Sequence, residues 1–61
     1  MQDEWTKKLA DGRTVVYTSN IEAGTGGVIT ARVGDIALTQ HVYAPMTRQE
    51  VEALFAPTLG G

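Results

Sequence analysis

His41 is the only histidine of this sequence, and histidine is the side chain most often used as a general base. A histidine acting as general base needs a carboxylate to orient it and a nucleophile within reach, and neither is placed beside His41. Seven acidic residues are present. No two of them share a strand face at close spacing, and Glu50 and Glu52 fall on different sides of a helix, so the paired carboxylates of hydrolytic sites have no counterpart. Cysteine is absent and histidine occurs once, which removes thiolate and histidine-rich metal sites together. We therefore assign no catalytic residue, metal ligand or cofactor site, and the chain reads as a non-enzyme.

Backbone N–H groups offer a different chemistry. The glycines of "SNIEAGTGG", residues 19–27, have the composition of an anion cradle. A phosphate-binding loop continues with a lysine, a hydroxyl residue and a helix. Here Val28 and a strand pattern follow, so the stretch reads as a connection. The terminal "TLGG" resembles the Gly-Gly tail of ubiquitin-like carriers and sulfur-carrier proteins. That resemblance implies a carrier whose last glycine, Gly61, is activated by adenylation. It covers four residues and departs from the family, whose tail follows the last strand of a ββαβ core rather than a helix.

Aromatic side chains remain. Trp5, Tyr17 and Tyr43 have the stacking surfaces that hold single-stranded nucleic acid, and equally those that anchor protein interfaces. Net charge is −2 and the five cations are scattered, whereas nucleic-acid binders present a basic stripe. A small nucleic-acid-associated regulator is the alternative, and it requires Lys7, Lys8, Arg13 and Arg32 to be gathered by folding. Protein anchoring is the preferred reading, with plain packing of the same aromatics in the core as its rival. Its surface comprises Trp5, Tyr17, Val28, Thr39, His41 and Tyr43.

The elements that position these residues follow from pattern. Asp11-Gly12 predicts a two-residue hairpin turn, since both residues tolerate positive φ. It joins a strand near residues 4–10 to one near 13–19, with Leu9 opposite Thr14, Lys7 opposite Val16 and Trp5 opposite Thr18. "DEWTKKLADG" also reads as a short helix, with acids first, lysines last and Gly12 just beyond. Gly34-Asp35 predicts a second turn, glycine first as type II′ prefers. Val33 then faces Ile36, Ala31 faces Leu38 and Ile29 faces Gln40 on one apolar side. Thr47 and Glu50 form a capping box, with Met46 and Val51 at staple spacing. Val51, Leu54 and Phe55 line one side of the helix that follows, while Arg48, Gln49 and Glu52 point away. Pro57 ends it at or before Ala56.

The expected fold is α+β: a small antiparallel sheet of two β-hairpins backed by one C-terminal helix, ββββα, or αβββα with the N-terminal helix. The chain forms one domain, with a hairpin at 4–19, a loop at 20–27, a hairpin at 28–44, a helix at 48–56 and a tail at 57–61. No stretch is apolar enough to cross a bilayer, and "MQDEWTKK" lacks the order of a secretion signal. The expectation is a soluble cytoplasmic or intracellular protein. A chain this small buries only roughly 60% of its unfolded surface and draws roughly 3–5 kcal/mol from its core. Self-association would offset that shortage. The functional expectation is thus a homo-oligomeric interaction or assembly module, prokaryotic or phage-borne, acting as an accessory or structural subunit of a larger particle.

Overall fold

The computed structural model describes residues 2–59. Four strands, β1 (Gln2–Lys8), β2 (Thr14–Glu22), β3 (Gly26–Val33) and β4 (Ile36–Val42), precede one helix, α1 (Arg48–Leu59). The strands are antiparallel neighbours in chain order. The fold is therefore ββββα, and the alternative N-terminal helix is not formed. Alternation explains the choice: as a strand, β1 sends Asp3, Trp5 and Lys7 to one face, where each meets the helix or the core.

The first turn differs from its expected form. The Leu9 N–H donates to the Arg13 carbonyl (2.7 Å) and the Gly12 N–H to the Leu9 carbonyl (3.0 Å). Gly12 has φ 93°, while among the described residues no non-glycine residue has positive φ. The loop is thus Ala10-Asp11-Gly12, a three-residue hairpin with a left-handed glycine, not a two-residue turn on Asp11-Gly12. Asp11 supports it by accepting from the Arg13 N–H (3.0 Å). The register moves by one residue, so that Lys7 faces Val15 and Trp5 faces Tyr17. A one-residue slip exchanges the faces of a strand. Here it brings Asp3, Trp5 and Lys7 onto the face where Val15, Tyr17, Ser19 and Ile21 are buried.

The glycine-rich stretch is also shorter as a loop than expected. Only Ala23, Gly24 and Thr25 lie between β2 and β3, so residues 20–22 and 26–27 are strand and a third hairpin replaces the long connection. The Thr25 N–H closes the turn on the Glu22 carbonyl (3.2 Å). Gly27 pairs with both Ile21 and Val42. A Cβ there would overlap the Asn20 carbonyl oxygen and lie 2.6 Å from the Ile21 Cα. The second expected hairpin holds residue for residue, with Val33 against Ile36, Ala31 against Leu38 and Ile29 against Gln40. Gly34 (φ 56°) supplies the first turn position.

The capping box forms: the Glu50 N–H donates to Thr47 Oγ1 (3.2 Å) and the Thr47 N–H to Glu50 Oε1 (2.8 Å). Met46 and Val51 join the same core cluster. Pro57 does not stop α1. It lies inside the last turn, and the helix runs on to Leu59. Leu59 packs against the core, and its carbonyl accepts from Arg13 Nη2 (3.4 Å), two contacts that offset the hydrogen bond a proline cannot donate. Val51 and Phe55 are the buried helix residues, while Leu54, expected beside them, is 42% exposed. The core is the cluster of Val15, Tyr17, Ile21, Ile29, Ala31, Val33, Val51 and Phe55. The expected tail residues Gly60 and Gly61 lie outside the described residues, and the carrier resemblance with them.

Candidate functional site

Five polar and aromatic side chains fasten α1 to the outer strand β1. Asp3 accepts two hydrogen bonds from Arg48, both 2.8 Å. The Arg48 guanidinium lies over the Trp5 ring, 5.1 Å from its centroid, in reach of the ring quadrupole. Trp5 Nε1 donates to Glu52 Oε2 (2.9 Å), and Lys7 Nζ to Glu52 Oε1 (2.8 Å). Residues 3, 5 and 7 repeat along a strand about 6.7 Å apart, and residues 48 and 52 along a helix about 6 Å apart, so the two rows stay in step. Glu52 therefore turns toward the sheet, not away from it as the helical pattern suggested. The Lys7 hydrogen bond, opposed by partial burial and helped by Trp5, holds the Glu52 carboxyl below its ordinary value. Arg48 does the same for Asp3. Every charge in this row has its partner beside it, and the row positions the helix.

Among the described residues, the opposite face of the sheet carries no helix. Reading across β2, β3 and β4, Thr18, Thr30 and Thr39 stand in one row, and Asn20, Val28 and His41 in the next. The Thr18 and Thr30 hydroxyls are hydrogen-bonded to each other. Tyr43, just past β4, is 87% exposed. A shallow depression joins Val28, His41 and Tyr43 beside Gly26 and Gly27. Four of the six expected surface residues, Val28, Thr39, His41 and Tyr43, therefore gather on the β3–β4 side. The other two do not. Tyr17 is 2% exposed beneath the helix, and Trp5 stacks on it with ring centroids 5.4 Å apart and planes at 20°. The shifted first register puts both on the covered face, and they belong to the core and its margin, not to the open surface. Burial, then the neighbouring Glu52 charge, pushes the Tyr17 phenol above its ordinary value.

The two sheet edges differ. β1, "QDEWTKK", carries Asp3, Glu4, Lys7 and Lys8, whereas β4, "IALTQHV", contains no Asp, Glu, Lys, Arg or Pro. Charge and proline are the usual guards of an exposed strand edge. Beside β4 the covered face also opens. Ile36 is 57% exposed, Gln40 is exposed and Leu38 only half-buried, because the helix is fastened over β1 at the far edge. Neither this edge nor the strand–helix row was among the features expected from the sequence. The first was visible as an uncharged run from Ile36 to Val42, the second as matching residues at spacings of two and four.

His41 is exposed, and among the described residues no side chain is hydrogen-bonded to its ring. No group of three or more His, Cys, Asp or Glu residues able to hold a metal occurs among the described residues. Of the cations proposed for nucleic acid, Lys7 is paired with Glu52 (2.8 Å) on the covered face and Arg13 with Asp11 (2.6 Å) at the first turn, while Lys8 and Arg32 lie on the open face. No helix among the described residues is long and apolar enough to cross a membrane. No protein-family model, curated protein or solved structure matches the chain.

Proposed function

We propose that this protein is a non-enzymatic interaction or assembly module that associates with itself, serving as a small accessory or structural subunit of a larger assembly such as a phage particle. The observation that carries the reading is the uncovered sheet face, whose β3–β4 side groups Val28, Thr39, His41 and Tyr43. One helix covers one face of a four-stranded sheet, and a core this small supplies roughly 3–5 kcal/mol. Covering the second side by association stabilises the folded state through mass action. Apolar and aromatic side chains on that side suit a protein surface, and a net charge of −2 with three of the five cations held in ion pairs disfavours phosphate.

Sedimentation velocity from micromolar to millimolar protein tests the reading. The weight-average mass is expected to rise above the 6.5 kDa of one chain. A thermally stable species of single-chain mass across the whole range would overturn self-association.

A further inference from the structure

We propose that two copies of the chain pair antiparallel through the outer edge of β4, about a two-fold axis at Thr39, to form one continuous eight-stranded sheet. This rests on self-association alone and places the contact at the β4 edge, so that the open face carrying Val28, Thr39, His41 and Tyr43 stays uncovered in the dimer.

The two-residue Gly34-Asp35 turn makes Val33 and Ile36 a hydrogen-bonded pair. In an antiparallel ladder such pairs alternate with non-bonded ones. Ile36, Leu38, Gln40 and Val42 therefore direct their N–H and C=O groups toward β3. Ala37, Thr39 and His41 direct theirs outward. The Val42 carbonyl oxygen, turned toward Gly26, and the His41 carbonyl, which accepts from the Gln40 side chain (3.3 Å), agree with this alternation.

Thr39 is the midpoint of Ile36–Val42. Pairing about it sets Thr39 against its own copy and Ala37 against His41, so each outward N–H of one strand meets an outward C=O of the other. On the covered face, Ile36 then meets Val42 and Leu38 meets Gln40. No shift of register uses the strand more fully.

Charge selects the occupant. Every molecule of this protein carries the same net charge of −2, yet β4 brings no charge to the edge. Two β4 edges meet with no charged side chain to desolvate, whereas the β1 edge carries two acids and two lysines, the kind of charge that guards a strand edge. The result is a closed dimer, not a β4-to-β1 filament. The two-fold also keeps both helices on one side of the sheet. Leu54 lies about 200° around the helix from Glu52, on the flank turned away from β1. The half-open strip of Ile36 and Leu38 then becomes the floor of a trough between two helices. A flank about 24 Å long and 16 Å deep gives roughly 400 Å² of projected area per copy, small among specific interfaces. The dimer is accordingly weak and concentration-dependent.

Sedimentation equilibrium of wild type, Thr39→Lys, Thr39→Glu and an equimolar mixture of the two variants tests the proposal, with circular dichroism checking that each variant is folded. Wild type is expected to reach twice 6.5 kDa. Each variant alone should associate about two- to fivefold more weakly, since like charges stand directly opposite, and the mixture should recover the dimer. Amide hydrogen exchange on wild type is the second measurement, independent of any substitution. The N–H groups of Ala37, Thr39 and His41 should gain protection as concentration rises. A Thr39→Lys protein that dimerises as well as wild type, a mixture that fails to recover, or unprotected outward amides in a formed dimer would each overturn the β4 geometry while leaving self-association standing. Oligomers that grow without limit would overturn the closed two-fold. A monomer at every concentration would overturn both readings.

Discussion

Glu52 shows how one side chain joins distant parts of the chain. Its carboxylate accepts from Trp5, forty-seven residues away, and from Lys7, forty-five away. Because folding lowers its pKa, with the Lys7 hydrogen bond the largest cause, the unfolded chain takes up a proton before the folded one does. The stability it confers is present above the ordinary glutamate range and is lost as pH falls through the lowered value. Glu52→Gln is expected to lower stability by about 1 kcal/mol at neutral pH, a fall of about 4–8 °C in Tm for a domain of this size. Thermal melts of wild type and variant should converge as the pH is taken down through the acid range. Asp3 and Asp11, also held low by Arg48 and by Arg13 respectively, keep part of the acid slope in the variant. An undiminished difference between the two proteins at acid pH would show that the pair is immaterial.

At the scale of the element, the β2–β3 hairpin depends on two glycines for unlike reasons. Gly24 has φ 90° with open space around it, so alanine there costs backbone strain alone, about 1 kcal/mol. Gly27 stands where strands run too close for any side chain, its missing Cβ occupying the place of the Asn20 carbonyl oxygen. Alanine there requires the strands to move apart, at a cost of about 3 kcal/mol or more. Urea melts should find Gly24→Ala modestly weakened and Gly27→Ala largely unfolded in buffer. Equal effects would mean that β2 and β3 separate freely at this point. The helix shows the same dependence on neighbours. Its capping box begins it, but Pro57 fails to end it because Leu59 and Arg13 hold the last turn.

For the whole molecule the governing quantity is surface. The described fold exposes 4228 Å², close to the roughly 4,000 Å² that chain mass alone implies for a compact monomer. Compactness is therefore ordinary, and what remains unusual is its distribution: one face fastened by the Asp3–Lys7 row, the other open, with an uncharged edge at β4. If association stabilises the fold, Tm must depend on concentration. Calorimetric scans over a hundredfold range of protein concentration are expected to show an upward drift in Tm. A Tm independent of concentration would place all the stability within one chain.

Residue order by itself determined the fold class, the β3–β4 hairpin with its register, and the start of the helix. Each of these rests on interactions within a few residues: Gly34 supplying a positive φ, alternating apolar residues on either side of it, and Thr47 reaching Glu50 one turn away. Tertiary structure alone decided the rest. Asp11-Gly12 is compatible with a two- or a three-residue loop, and burying Tyr17 beside Trp5 and Phe55 favours the register that the longer loop allows. Glu52 and Leu54 exchange their expected places because the sheet lies on the side where Trp5 and Lys7 wait. The helix outlasts its proline because its last turn has partners elsewhere in the chain. Short-range preferences are nearly degenerate at such points, and contacts between residues far apart in sequence, which exist only once the sheet has formed, break the tie.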